Sequence, residues 1–534
     1  MNGRNNPEPT TLNTGMDARK HLSTVFSRAP AGLEAPLVRV EVHLGTGLPA
    51  FALVGLPEAV VRESRERVRA ALVTAGYEFP QRRITVNLSP ADLPKEGGRF
   101  DLPIAVGILA ADRKINARHL KQREFYGELS LGGALRETRK LLPALIAGAK
   151  QGSEMILPAA NSLEASLVSG GKLRLMHNLH QVVAALGGRA APRAATAAPA
   201  PAPEADQSDA NDFEAAGAAR SIADIAEIRG QYAAKRALEI AAAGDHGLLM
   251  IGPPGAGKTL LAQRLPGLLP PLSEQEFLEV ASLESAAGRR PSIGGRRPFR
   301  SPQHTASMAA LIGGGAMRPG ELSLAHLGVL FLDEFPEFPR NALEALREPM
   351  ESGIVSVARL KRSCEFPARF QLVAAMNPCP CGYAGDIRGR CHCTAEQIAR
   401  YRSRISGPLV DRIDIHIELG ALPAQDLMAD APQAAETSAV VAERVAAARA
   451  VQLQRQGKLN SRLTPVEVAR ICAVAREPRA LLATAIARLG LSARAYHRVL
   501  KVARTCADLG GAPEIRTLDV AEAVKLRALD QPRC

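Results

Sequence analysis

The stretch Gly252-Pro253-Pro254-Gly255-Ala256-Gly257-Lys258-Thr259 decides how this chain is read. It fits the pattern G-x-x-x-x-G-K-[ST] in full. The apolar run Leu248-Leu249-Met250-Ile251 before it suits a buried strand, and Leu260-Leu261-Ala262-Gln263-Arg264-Leu265 after it reads as a helix. The glycines let successive backbone N–H groups turn inward around phosphate oxygens, and the helix N-terminus adds partial positive charge. Residues Gly252 to Leu260 are thus the expected cradle for ATP, with Lys258 reaching the β- and γ-phosphates and the Thr259 hydroxyl ligating Mg²⁺. An accidental glycine-rich turn before a helix is the alternative, and it leaves both flanks unexplained.

Length and composition bound what surrounds this loop. The 534 residues suffice for about three domains. Trp is absent and aromatics are scarce, so platforms for stacking single-stranded bases are few. A net charge of +13 and a pI near 9.6 fit a polyanionic partner such as nucleic acid; an Arg-rich chain with solvated basic faces gives the same values. No apolar run reaches transmembrane length, and Met1 to Thr14 is polar without a signal-peptide core. The expected location is cytoplasmic, with no membrane partner.

Four of the eight cysteines crowd into Cys379-Pro380-Cys381 and Cys391-His392-Cys393, which suggests metal rather than disulfide bridges. Four thiolates would close a tetrahedral structural Zn²⁺ site, with His392 as a spare ligand; the alternative is reduced free thiols.

Taken in order, residues 1–22 read as a disordered extension and 23–188 as an α+β domain. Strands are expected at Leu37–Val42, Phe51–Gly55 and Ile84–Leu88, with helices from Pro57 to about Ala75 and from Asp101 to Ala111, and Gly127-Glu128-Leu129 returning to the sheet. Val61-Arg62-Glu63-Ser64, Pro94-Lys95-Glu96-Gly97 and Gly132-Gly133-Ala134-Leu135 resemble parts of the proteolytic domain of the ATP-dependent Lon protease. The resemblance implies a Lon-protease-like (ChlI-type) fold. Where the protease carries its nucleophilic Ser this chain has Arg99, and a Ser/Lys dyad needs its nucleophile. Peptidase activity is therefore not expected, which leaves DNA binding or subunit assembly. Residues 189–211, rich in Ala-Pro repeats, read as an extended linker.

Residues 212–420 carry the phosphate loop and read as the ATPase core. Gly230-Gln231 and the helix Ala233–Ala242 are similar to the segment near adenine in AAA+ ATPases. Val329-Leu330-Phe331-Leu332-Asp333-Glu334 reads as a buried parallel strand with two carboxylates at its C-terminal end, where open α/β sheets bind ligands. Asp333 would orient the Mg²⁺ shell and Glu334 the attacking water. Phe370–Asn377 is a further apolar strand that resembles the AAA+ sensor-1 strand; Asn377 either positions the water or caps the strand end before Pro378. Between these strands, Gly353–Val357 and Cys364-Glu365-Phe366 flank a basic tip with Arg359, Lys361 and Arg362, the pattern of a β-hairpin. That tip either grips DNA phosphates or is a solvated turn. The segment Arg296–Gly328, rich in Gly, Ser, His and Arg, reads as a moving loop in which His304 is a ligand, a nucleotide-sensing contact or a loop hydrogen-bonding residue.

Phe299–Ser307, Gly320–His326, Met376–Gly382 and Arg404–Asp414 together resemble the YifB/ComM family of Mg-chelatase-like AAA+ ATPases. The resemblance covers about residues 23–530, with one departure at Gln303, where the family pattern has a second His before His304. It implies a hexameric ATP-driven helicase acting on single-stranded and branched DNA, promoting branch migration as transforming DNA is integrated. Arg412 resembles the arginine finger that enters a neighbouring subunit's site, the alternative being a local ion pair with Asp411 or Asp414. Residues 421–534 read as helices at Val440–Gln456, Ala469–Ala475, Ala480–Leu489, Ala493–Leu509 and Leu518–Leu529, a helical lid of the Mg-chelatase C-terminal type. There Ser492 caps a helix and Arg494 matches sensor 2. The expected fold is α/β: a Lon-protease-like α+β domain, an AAA+ P-loop core and a helical lid. The rival readings are a chelatase motor acting in metal insertion and a Lon-like ATPase scaffold.

Overall fold

The computed structural model describes residues 21–55, 59–93, 95, 97–188, 224–292, 294–314, 317–359, 362–385, 389–421 and 436–527. Most of the expected extension 1–22, the linker 189–211, Lys361 and the side chains of Arg359 and Arg362 lie outside the described residues. The chain divides into two compact units, Met1–Asn211 with Ala281–Pro291, and Asp212–Val280 with Ser292–Cys534.

The first unit is built on a seven-stranded mixed sheet. Its strands are β1 (Leu22–Arg28), β2 (Leu37–Gly45), β3 (Ala50–Val54), β4 (Arg83–Ser89), β5 (Arg123–Phe125), β6 (Glu154–Pro158) and β7 (Lys172–Met176), in the order β3-β4-β2-β1-β5-β6-β7. β1, β2 and β4 are antiparallel neighbours, with Val25 opposite Val40 and Val42 opposite Val86; β3 and β5 to β7 join in parallel. Alternation decides the face: Val38, Val40, Val42 and Leu44 on β2 are buried. The helix Asp101–Ala111 packs on β1 and β2 and is buried along its whole length; after Asp101, which pairs with Arg67, it is apolar on every face.

Glu128–Leu129 does not return to this sheet. It pairs with Leu135–Arg136 in a small hairpin, while Arg123–Phe125 is the sheet strand. The start of the buried helix diverts the chain here: Leu102 N–H donates to Gly127 O (3.0 Å) and Leu129 N–H to Asp101 Oδ2 (3.3 Å).

The second unit holds a five-stranded sheet, parallel throughout. Across it run Phe299–Arg300, Val329–Leu332, Gln371–Met376, Leu248–Ile251 and Ile415–Glu418. The three inner strands are buried at every residue, the signature of a parallel sheet covered on both faces. The strand order reverses beside Leu248–Ile251, so the phosphate loop leaves the sheet at its topological switch point. Part of the expected moving loop is therefore an edge strand, anchored by Phe299 stacking on Phe331 with ring centroids 6.0 Å apart.

C-terminal helices Ser438–Gln456, Pro465–Ile471, Arg476–Leu489, Ala493–Leu509 and Thr517–Lys525 pack in this same unit. The helix expected at Ala469–Ala475 lies earlier, because Thr464 and Glu467 form a capping box with Pro465 at the first helical position. Among the described residues no helix is long and apolar enough to cross a membrane.

His416, on the outer strand Ile415–Glu418, is fully buried, and desolvation with the nearby Arg527 charge holds its pKa down at about 3. It is neutral in the fold and takes a proton in the unfolded chain at about pH 6.5. The stability it contributes is complete above that value and falls with pH toward the folded pKa, by about 1.4 kcal/mol per pH unit. Thermal unfolding should show a lower midpoint at about pH 5 than at about pH 7, and His416→Phe should flatten that dependence.

Candidate functional site

The site begins where Leu248–Ile251 ends. The loop turns through Gly255 (φ +78°) and Gly257 (φ +87°), conformations that strain any residue with a Cβ, and delivers the chain into the helix Lys258–Leu268. The Lys258 side chain folds back over the loop. Its Nζ donates to Gly252 O (2.7 Å), Pro253 O (3.1 Å) and Asn377 Oδ1 (3.1 Å). Desolvation lowers its pKa, while the charges of Asp333 and Glu334 act the other way.

The neighbouring strands supply the rest. Gly252 N–H donates to Met376 O (3.2 Å), which ties the loop to the strand that ends in Asn377. The Thr259 hydroxyl donates to Asp333 Oδ2 (2.8 Å), so the hydroxyl and carboxylate that suit a Mg²⁺ ion in nucleotide sites already converge. Glu334 N–H donates to Asp333 Oδ1 (2.9 Å). Glu334 itself has φ +51°, a left-handed backbone that costs a non-glycine residue about 1–3 kcal/mol and that clusters at functional sites. That turn projects its carboxylate toward His304 Nδ1, 3.0 Å away. Lys258, Thr259, Asp333, Glu334, Asn377 and His304 thus meet at the C-terminal ends of adjacent strands.

Two contacts had no sequence signal. Gln231, itself in a left-handed conformation at φ +50°, donates from Nε2 to Ala256 O (3.2 Å) and Gly420 O (2.9 Å), clamping the loop from outside. The buried Tyr401 hydroxyl meets the Asn377 backbone, and burial pushes its pKa up to about 12. Both link residues far apart in the chain, which no local pattern announces.

Arg412 and Arg494 share a different partner. Arg412, 9% exposed, donates to Pro408 O (2.8 Å) and pairs with Glu351 Oε1 at 2.7 Å. Arg494 Nη2 lies 4.0 Å from the same oxygen. Arg412 lines a groove with Glu344, Arg347, Glu348, Glu351 and Ser352. Its pKa is lowered by desolvation, and the charges of Arg494, Arg347 and Arg498 add to that against Glu351. The local ion pair of Arg412 is thus with Glu351.

The hairpin strands are Ile354–Arg359 and Arg362–Pro367, with Val357 opposite Cys364 and Val355 and Phe366 buried at the base. The thiols of Cys379, Cys381, Cys391 and Cys393 converge, all within 4.8 Å of one another, and could hold a metal ion.

In the first unit Arg99 is 3% exposed, and its guanidinium donates to the carbonyls of Arg28 (3.2 Å), Arg139 (2.7 Å) and Lys140 (3.0 Å).

Comparison with known proteins covers nearly all of this architecture. The family model for magnesium chelatase, subunit ChlI, matches residues 224–427; a second model for that subunit matches 40–161, and one for its C-terminal part matches 435–527. The chain is 48% identical over 511 residues to competence protein ComM of Haemophilus influenzae, covering 95% of this chain and 98% of that one. It is 45% identical to the YifB proteins of Salmonella typhimurium and Escherichia coli, in each case over 96% of this chain and 98% of theirs. The chain belongs to the YifB/ComM family of magnesium-chelatase-like AAA+ ATPases.

Proposed function

We propose that this protein is an oligomeric ATP-driven DNA motor, a helicase that promotes branch migration while transforming DNA is integrated. The observation that carries the reading is the meeting of Lys258, Thr259, Asp333, Glu334 and Asn377 at the C-terminal ends of three adjacent strands, in a chain nearly half identical to a competence protein over almost its full length.

The phosphates of ATP lie in the loop Gly252 to Leu260, where the N–H groups from Gly255 onward face them; Pro253 and Pro254 have none and that of Gly252 goes to Met376 O. Lys258 exchanges its carbonyl partners for β- and γ-phosphate oxygens, and Asn377 holds the ammonium in place as it does so. Mg²⁺, held by Thr259 and through water by Asp333, supplies charge neutralisation at the phosphates when bound. Glu334 accepts the proton of a water that attacks the γ-phosphorus, and ADP leaves as the bond to its β-phosphate oxygen breaks. His304 keeps the Glu334 carboxylate aimed. Arg412 comes from a neighbouring subunit and Arg494 from the C-terminal helices, which act as a lid over residues 212–420. Basic charge on the hairpin tip at 359–362 grips DNA phosphates, a role that fits the net charge of +13. The domain 23–188, in this reading, is a Lon-like module without a nucleophile, used for assembly or DNA contact; the engagement of Arg99 with three carbonyls supports a structural residue there.

A second reading, a motor for metal insertion, is favoured by the three magnesium-chelatase models that match the chain. One experiment separates the two. Purified protein is given ATP with forked or three-stranded DNA: strand displacement that vanishes in Lys258→Ala supports the helicase, and DNA-independent hydrolysis without displacement sinks it. Lys258→Ala should lower ATP turnover by roughly 10²–10³-fold.

Two further outcomes test individual residues. Lys258→Ala and Arg412→Ala proteins, each inactive alone, should regain ATPase when mixed, because one supplies the cradle and the other the finger; absence of recovery would assign Arg412 a role within its own subunit. His304→Ala should lower kcat about tenfold with little change in KM for ATP, the pattern of a residue that orients the base rather than binds nucleotide.

A further inference from the structure

Between the Asn377 strand and the helix Ala395–Arg402 the chain runs through 378–394. None of its described residues, 378–385 and 389–394, is in a helix or strand. So long a connection inside an ATPase core needs something to fix it. Its composition (Pro, Cys, Gly, Tyr, Arg, His) offers little to a hydrophobic core. What converges instead is sulfur.

Cys379 Sγ lies 3.3 Å from Cys381 Sγ and 3.8 Å from Cys391 Sγ, and Cys381 Sγ lies 3.6 Å from Cys391 Sγ. Four thiolates placed tetrahedrally at about 2.3 Å from Zn²⁺ stand about 3.8 Å apart. A disulfide would need about 2.05 Å, and these cysteines are free. Ala384 N–H donates to Cys379 Sγ (3.2 Å), the outer-shell contact that thiolate ligands receive.

The position of this cluster gives it consequence. Cys379 follows Asn377 with only Pro378 between, and Arg402 Nη2 donates to Pro378 O (3.3 Å). Gly382 N–H closes a turn on Cys379 O (3.0 Å). Gly382 packs on the phosphate loop: a Cβ there would stand 2.7 Å from Pro254 Cδ, and its φ of +86° would also strain any other residue. The knuckle therefore touches the cradle on one side and continues the Asn377 strand on the other.

We infer that Cys379, Cys381, Cys391 and Cys393 hold one Zn²⁺ whose closed cage braces Asn377 and the Pro254 wall, so that the rate of ATP hydrolysis depends on the metal. Zinc here is a positioning element; all four ligands are protein thiolates and it takes no part in the chemistry. The inference rests on the ATPase reading of the site, and not on the DNA reading.

The test uses full-length protein purified under reducing conditions without chelator. Metal analysis should find one zinc per chain, and Co²⁺ exchanged for it should show thiolate charge-transfer absorption. Stripping the zinc should lower kcat for ATP roughly tenfold while KM moves less than about twofold, and added Zn²⁺ should restore the rate. Cys381→Ser with Cys393→Ser should give the same low kcat with no zinc. Its affinity for a fluorescent ADP analogue should persist, which separates a lost brace from a lost fold. Protein that binds no metal, or iron in place of zinc, overturns the site. Zinc whose removal leaves kcat unchanged overturns the brace. If neither loaded nor stripped protein hydrolyses ATP, the ATPase reading fails, and the brace that depends on it fails too; metal content and the Co²⁺ spectrum still judge the site.

Discussion

A buried ammonium sets the terms of this structure. Lys258 is desolvated at the mouth of the phosphate loop, and its hydrogen bonds go to two carbonyls and one side-chain amide rather than to a carboxylate. Desolvation disfavours the charged form, so the site holds a cation poorly compensated until an anion arrives. That tension exists only because three parallel strands end side by side. Leu248–Ile251 brings the loop, Gln371–Met376 brings Asn377, and Val329–Leu332 brings Asp333 and Glu334. Apolar burial of those strands is what makes the polar convergence at their ends rigid.

A second buried hub joins the same sheet to the C-terminal helices. Burial alone would raise the Asp414 carboxyl, but Arg498 and His246 outweigh it and hold its pKa well below the usual carboxylate range. His246 sits between Asp414 (3.0 Å) and the Thr505 hydroxyl (2.8 Å), and Thr505 accepts from Asn460 Nδ2 (3.0 Å). Asp508 then gathers Arg455, Arg504 and Asn460. This chain of bonds runs from the residue that follows Arg412 by two into the helix that begins at Ala493, next to Arg494. Breaking one member would strand buried charge, which is the costly way to lose an ion pair. The two arginines therefore sit on elements that one buried polar network joins.

What was legible in the sequence was what is local. The loop 252–259 and the apolar strand before Asp333-Glu334 are contiguous runs whose period and end residues carry their meaning. The Asp101–Ala111 helix was equally plain, because eleven residues without a polar face have only one place to go. That position 99 is Arg and not a nucleophile was visible; that its guanidinium would be engaged by three carbonyls was not. Gln231 on the loop, Tyr401 behind Asn377, and His246 between Asp414 and Thr505 join positions that only the closed sheet brings together. The segment 296–328 was misleading for a related reason. Its Gly and Arg content suggested a loop throughout, yet Phe299 and Arg300 complete the sheet edge, and Arg300 forms a two-bonded pair with Glu321 (2.7 and 2.9 Å).

Glu351 shows how such a site can be held ready. It satisfies Arg412 at 2.7 Å and stands within 4.0 Å of Arg494, while Arg347 and Arg498 add positive charge to the same place. Arg347 pairs with Glu344, Arg498 pairs with Asp414, and Glu348 lines the same groove, so Glu351 is the carboxylate that Arg412 and Arg494 share. In the proposed oligomer the γ-phosphate on the adjoining subunit takes the place of Glu351 on Arg412. Glu351 is 54% exposed on its side chain, so releasing it to water costs little, whereas Arg412 is nearly buried and would be expensive to leave unpaired. The exchange is therefore asymmetric: the carboxylate gives way and the arginine stays. An arginine held in this manner needs no refolding to serve as the proposed finger, only the approach of a phosphate that binds a planar guanidinium better than a monodentate carboxylate does.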